Sequence, residues 1–277
     1  MSAAKGHITD ALPAHTREDL LRFSDGEIDS AIILGSGLGD FASRLEVLRS
    51  VSTTELPGYP QSTVPGHAGK LHLCSDGSRR LLLFQGRVHG YEGYAHDVVA
   101  LPARIAAELG ARILLVTNAA GGLHPSLDIG DLMLITDVLA LPVSSPAALG
   151  FTPGTRSPQP LPQPLLSPSL IDTARKAAVE TQTRLREGTY GFCSGPTYET
   201  KAEITFFRMA GVDAVGMSTY AEIIAARRLG LDVLGISCIT NKAQTVGNAV
   251  SHAEVTAVGA SVSDRFSRLV HGIIRTW

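Results

Sequence analysis

Few cysteines, no block of basic residues and no long apolar run occur in this chain, and each shortage removes a class of protein. The three cysteines, Cys74, Cys193 and Cys238, lie far apart and form no C-x-x-C pair. That spacing argues against a disulfide frame or a cysteine zinc site and for reduced thiols in a cytosolic protein. Lysine and arginine number 24 against 26 aspartate and glutamate, for a net charge of −2 and a pI of about 6.5. The basic residues nowhere cluster, so neither a nucleic-acid surface nor a polybasic membrane patch is expected. No stretch is apolar for long enough to span a bilayer, and MSAAKGHITDALPAHTRED at the start lacks the apolar segment of a secretory signal. A soluble intracellular globule is the expectation.

What the chain does have suits a large α/β fold. Its 277 residues are 44% hydrophobic and include 28 glycines, enough for a sizeable core and many tight turns. No internal repeat and no break in composition divides it. Residues 1–25 read as a polar extension with a short helix near Arg17 to Phe23. Between Pro142 and Pro168 stand eight of the fifteen prolines, which predicts an irregular surface loop, a candidate lid or subunit contact.

Residues 193–243 alternate loop, helix, strand, helix and strand, with polar residues left at the joints. Gly195-Pro196 places Thr197, Tyr198 and Glu199 in a loop before a helix that ends near Met209, with Ala202, Phe206 and Met209 on one face. Ala214 to Met217 reads as a short strand, and Ser218-Thr219 as N-cap hydroxyls for a helix from Tyr220 to Leu229. Leu231 to Thr240 is a β-branched run ending on Asn241-Lys242. Open α/β sheets hold ligands at the carboxyl ends of such strands, so Glu199, Met217, Ser218 and Asn241 are expected to face one crevice. Taken singly, Glu199 reads equally as a first-turn acid, Ser218 as a cap and Asn241 as a turn former.

Upstream, Ala31 to Leu34 predicts a strand running into Gly35-Ser36-Gly37-Leu38-Gly39, and then a helix with Phe41, Leu45 and Leu48 on one side. A strand, a glycine turn and a helix suit an anion, because free N–H groups point outward there. A dinucleotide fingerprint needs glycine where Asp40 stands, and a P-loop needs a lysine that is missing. Thr63 to Gly69 is a loop carrying His67. Leu81 to Phe84 reads as a strand followed by Arg87 and His89, a planar fork and a switchable donor fit for an oxyanion. A helix is expected over Asp97 to Leu109, and Ile113 to Val116 as a buried strand before the small-residue turn Thr117 to Gly122. Asp131 to Val138 is another strand. From His252, Val255, Val258, Val262, Phe266, Leu269 and Ile273 recur at steps of three and four, which predicts one long amphipathic helix.

The motifs ILGSGLGDF, VPGHAGKL, QGRVHGYEGY, VTNAAGGL, GPTYETKAE, VGMST and ITNKA, spread from Ile32 to about Ala260, closely resemble those of the trimeric, low-molecular-mass purine nucleoside phosphorylases. The resemblance implies a single α/β domain over 1–277, with a central mixed, largely parallel sheet flanked by helices. It implies phosphorolysis of purine nucleosides, 6-oxopurines preferred, to the free base and (deoxy)ribose 1-phosphate, in purine salvage. Inorganic phosphate is a co-substrate in that family, and no metal or organic cofactor is needed. By the same resemblance Ser36, His67, Arg87, His89, the Ala119 backbone and Ser218 take phosphate. Tyr91, Met217 and His252 take the ribose, His252 at its 5′-hydroxyl. Tyr198 stacks on the purine, Glu199 accepts from N1–H, and Asn241 bridges O6 and N7. Asn241, His89 and Glu199 are the implied catalytic residues. A homotrimer is implied too, the family bringing an aromatic residue across the interface from the loop that is proline-rich here, where Phe151 is the only aromatic. A methylthioadenosine phosphorylase shares the implied fold but typically has aspartate where Asn241 stands; a non-catalytic purine-binding module is the other alternative.

Overall fold

Ten residues, Ile113–Gly122, form the strand β5 to which the rest of the sheet is attached. The computed structural model describes residues 13–64, 68–77, 79–140, 162–243 and 251–277. His67, Phe151 and most of the proline-rich segment lie outside them. The first half of β5 pairs in parallel with β1 (Ser30–Leu34), which leads outward through β4 (Arg79–Gln85) and β3 (Lys70–Asp76) to β2 (Glu46–Ser52). Along its other edge β5 pairs in parallel with β9 (Asp232–Lys242), and its last two residues meet β8 (Ala214–Gly216). From β8 the order continues through β7 (Leu185–Phe192) and β6 (Leu132–Ala140) to β9, and so back to β5. Strands β5, β8, β7, β6 and β9 therefore close on themselves, and β2, β3, β4 and β1 form an open wing. Five pairings are parallel and four antiparallel. Closure leaves these five strands without a free edge.

The helices are α1 (Ala14–Ser24), α2 (His96–Val99), α3 (Leu101–Glu108), α4 (Pro168–Glu180), α5 (Lys201–Met209), α6 (Tyr220–Arg228), α7 (His252–Ser261) and α8 (Ser263–Ile274). They cover a continuous core in which β1 is buried along its whole length.

Several boundaries differ from expectation for identifiable reasons. After Gly39 a 3-10 turn, Gly39–Arg44, replaces the expected helix, and Glu46–Ser52 is strand. Pairing with β3 outweighs the helical spacing there, and Leu48 lies exposed. The helix expected over 97–109 is interrupted at Ala100, because Pro102 has no N–H to continue the ladder. β5 runs on through Thr117–Gly122 because β9 pairs along all of it. The C-terminal helix breaks at Val262, beside Gly259, Ser261 and Ser263, residues of modest helix propensity. Its apolar stripe nevertheless faces the core: Val262, Phe266, Leu269 and Ile273 are buried.

Helix α5 is rotated from the expected face. Its N-terminus is set by a capping box, in which Glu203 N–H donates to Thr200 Oγ1 and Thr200 N–H to Glu203 Oε2. Ile204 and Phe207 go inward, leaving Phe206 47% and Met209 84% exposed.

Candidate active site

An open cleft lies over the carboxyl ends of β1, β5 and β9, the usual place for a ligand on such a sheet. Of the twelve site residues named from sequence, all but His67 line it, and His67 is outside the described residues. Ser36 follows β1, Arg87, His89 and Tyr91 follow β4, and Ala119 lies in β5. Tyr198 and Glu199 precede α5, Met217 and Ser218 follow β8, Asn241 ends β9 and His252 opens α7.

Arg87 anchors one end. It is 4% exposed, and its Nη1 donates to Ser218 Oγ and Thr219 Oγ1, both at 3.0 Å. Its Nη2 donates to the carbonyls of Thr117 at 2.6 Å and Ile33 at 3.4 Å. Behind it, Nε stands 3.4 Å from Glu222 Oε1. The fork is thus oriented by β1, β5 and the β8–α6 junction. At that junction Thr219 has φ +79° and ψ −38°, and Tyr220 N–H donates to the Ser218 carbonyl at 2.9 Å. This is a γ-turn with a β-branched residue in a left-handed conformation, a strain on the order of 1–3 kcal/mol. The buried Thr219 hydroxyl holds it, accepting from Asn118 Nδ2 at 2.9 Å as well as from Arg87. Ser218 and Thr219 therefore do not cap α6 as expected; their hydroxyls are taken by the guanidinium.

Close backbone contact shapes the same end. A Cβ on Gly35 would stand 2.7 Å from Asn118 Cα, so the turn after β1 lies directly on β5. The turn continues onto α7: a Cβ on Gly37 (φ +76°) would stand 2.9 Å from Gly259 Cα.

His89 is held by Glu92. The Glu92 Oε1 atom accepts from His89 N–H at 2.7 Å and lies 3.0 Å from Nδ1. Oε2 accepts from Thr63 N–H, Thr63 Oγ1 and Ser62 Oγ. Burial by itself raises the Glu92 carboxyl, but the bonds from Thr63 and His89 outweigh it and hold the group below its usual range. For His89, burial outweighs the pull of Glu92 and pushes the pKa down to about 4. The ring is then neutral near pH 7, with Nδ1–H donating to Glu92 and Nε2 an acceptor. Tyr91 stacks on it, ring centroids 4.8 Å apart.

The other end of the cleft is a carboxyl, an amide and an aromatic ring. Burial raises the Glu199 carboxyl above the usual range. Thr240 Oγ1 donates to Asn241 Oδ1 at 3.1 Å, leaving Nδ2 as the amide's donor beside Gly121. Tyr198 is half exposed over this end. An oriented cation with hydroxyls suits a tetrahedral oxyanion. The carboxyl, amide and ring suit a planar heterocycle carrying both donors and acceptors.

The profile of the phosphorylase superfamily matches residues 29–275. Purine nucleoside phosphorylase 1 of Geobacillus stearothermophilus is 41% identical over 249 residues, 88% of this chain and 89% of that protein. The chain belongs to the purine nucleoside phosphorylases. The bovine purine nucleoside phosphorylase is 39% identical over 269 residues, 92% of this chain and 91% of its own. Among solved structures, isoform 2 of the Schistosoma mansoni purine nucleoside phosphorylase, in complex with cytosine and ribose-1-phosphate, superposes with a TM-score of 0.81 at 34% identity, covering 94% of each chain. A Schistosoma mansoni enzyme in complex with adenosine gives the same TM-score and identity over 94% of this chain and 95% of that one.

In this phosphorylase, sequence reasoning missed the residues that hold the lining in place: Glu92, Thr117, Asn118, Thr219 and Glu222. Glu92 carried a signal, since a carboxylate three residues after His89 is within capping distance. Glu222 looks in sequence like any acid in the first turn of a helix. Only the fold shows that it is buried under Arg87.

Proposed function

We propose that this phosphorylase cleaves purine ribonucleosides and deoxyribonucleosides with inorganic phosphate, 6-oxopurines such as inosine and guanosine preferred. The products are the free base and α-(deoxy)ribose 1-phosphate, in purine salvage. The observation that carries the reading is one cleft with the Arg87 fork at one end and Glu199 with Asn241 at the other. Phosphate binds Arg87, Ser36, Ser218, His89 and the Ala119 backbone, joined by His67. Neutral His89 accepts from a P–OH group through Nε2. Tyr91, Met217 and His252 hold the ribose, the last at its 5′-hydroxyl. Tyr198 stacks on the base and Glu199 accepts from N1–H. A phosphate oxygen attacks C1′ as the bond from C1′ to N9 breaks, so a β-nucleoside gives an α-sugar phosphate. Negative charge gathers on the leaving purine, where Asn241 Nδ2 donates to N7, a preorganised donor of a kind worth about 10²–10³ in rate. The reaction uses no metal or organic cofactor, and the enzyme works in the cytoplasm.

The test is base release from inosine with and without phosphate. Turnover is expected only with phosphate, and α-ribose 1-phosphate as the sugar product. Equal rates without phosphate would make the enzyme a hydrolase and overturn the reading.

The working form is a homotrimer. The exposed Phe206 and Met209 of α5 supply an apolar face for another copy, just beyond the Tyr198–Glu199 loop. Sedimentation equilibrium is expected to give three times the 29.2 kDa chain mass. A fully active monomer at assay concentration would refute the assembly and leave the chemistry intact.

A further inference from the structure

Glu222 has no role in binding by contact, yet it stands at the centre of the anion end. It is 0% exposed, and its Oε1 lies 3.4 Å from Arg87 Nε, a different nitrogen from the Nη1 that donates to Ser218. Neither carboxylate oxygen has a hydrogen-bond partner of ordinary geometry among the described residues. The groups that face it can be named by element. Burial raises the Glu222 carboxyl above its usual range, against the pull of Arg87, which follows β4 and is the charged group acting on it among the described residues, and of the backbone amides of Thr219 and Glu222. Tyr59, in the loop after the 3-10 turn Thr53–Glu55, and Tyr190 of β7 face it as hydroxyls that burial keeps un-ionised. A buried carboxylate whose charge is balanced by one cation and few hydrogen bonds responds strongly when a second anion competes for that cation.

We propose that Glu222 takes up a proton from solvent when a tetrahedral dianion seats against Arg87, making anion binding proton-coupled. This rests on the reading that the Arg87 end is the phosphate site. Before the anion arrives, Arg87 is shared with Glu222; afterwards its charge is shared with the dianion. The proton adds to a Glu222 oxygen, no other bond is made or broken, and the pair of negative charges flanking one guanidinium is reduced to that of the ligand. Glu222 is a positioning residue, acting on phosphate through Arg87. By linkage, a proton taken up on binding makes affinity fall as pH rises, by up to about tenfold per pH unit for one proton.

Sulfate is the probe, because it is tetrahedral and keeps its double charge across the range in which phosphate titrates. Its dissociation constant and its proton uptake are measured by calorimetry between about pH 5.5 and 8.5, in buffers of different ionisation heat. The proteins are wild type, Glu222→Gln and His89→Gln. Wild type is expected to bind more weakly as pH rises and to take up protons on binding. Glu222→Gln is expected to lose most of that uptake and slope, and His89→Gln to keep them. A slope unchanged in Glu222→Gln, or one abolished in His89→Gln, overturns the proposal while sulfate binding itself upholds the anion site. No sulfate binding by wild type at any pH overturns the anion site and the proposal with it. Should Glu222→Gln fail to fold, the infrared difference spectrum of the native protein reads the same event. A new protonated-carboxyl band on adding sulfate supports uptake, and its absence overturns it.

Discussion

Arg87→Ala is expected to lower kcat/KM for phosphate by about a hundred- to a thousandfold, the scale seen when one preorganised oxyanion donor is removed. Arg87 is a buried cation of the cleft, oriented by Ser218, Thr219, Thr117 and Ile33, and among the described residues no lysine lines the cleft beside it. The phosphate KM should rise and kcat fall together, because in the proposed reading the cation both holds the nucleophile and aims it. The substitution also leaves Glu222 buried without its counter-charge, a loss of about 3–5 kcal/mol for a broken buried pair. Arg87→Ala/Glu222→Ala separates the two effects, because removing both charges restores most of the stability and none of the phosphate affinity. Steady-state kinetics against phosphate and thermal unfolding of both variants check this. An alanine variant with wild-type phosphate dependence would take Arg87 out of the site.

The second large effect concerns the choice of base and rests on Asn241. Its Oδ1 accepts from Thr240, which directs Nδ2 to act as donor. Glu199, when ionised, accepts only, and so matches the N1–H of inosine and guanosine and not the bare N1 of adenosine. An acceptor left facing an acceptor costs about 1–3 kcal/mol, more for a charged group. With the second mismatch at position 6, wild type is expected to favour inosine over adenosine by several powers of ten in kcat/KM, a scale reached where polar sites reject the wrong partner. Asn241→Asp narrows that ratio, offering an acceptor to the 6-amino group and, protonated, a donor to N7. The Schistosoma mansoni complex with adenosine makes the measurement pointed. Equal wild-type rates on the two nucleosides would sink the preference, and a ratio unchanged in Asn241→Asp would remove Asn241 from base selection.

Glycine turns and polar strand ends pointed to the neighbourhoods of Ser36, Arg87, His89, Glu199, Ser218 and Asn241, whereas Tyr91 and the role of each residue were supplied by the resemblance to the phosphorylases. The supports were not legible in the sequence. Glu222 reads as a helix-start acid, and Thr219 as a cap, until a left-handed turn at the β8–α6 junction sends both hydroxyls of Ser218-Thr219 to Arg87. Strand closure was equally hidden: β8 is three residues long, and its pairing to Gly121-Gly122 depends on chain brought back from ninety residues further on. Periodicity also misjudged α5, where Phe206 and Met209 fit a stripe that faces outward. The capping box, a local signal, fixes the rotation, and the spacing of apolar residues does not.

For protein engineering, the contact between Gly37 and Gly259 divides the cleft wall into ground open to change and ground that is closed. A Cβ on Gly259 would stand 2.6 Å from Gly37 Cα, and the reverse substitution meets both a 2.9 Å approach and a left-handed φ. Loop and helix touch as bare backbone, so a mutational library reaching either position returns mostly collapsed proteins and learns nothing about substrates. Diversity belongs at the other end, at Tyr198, whose side chain is half exposed.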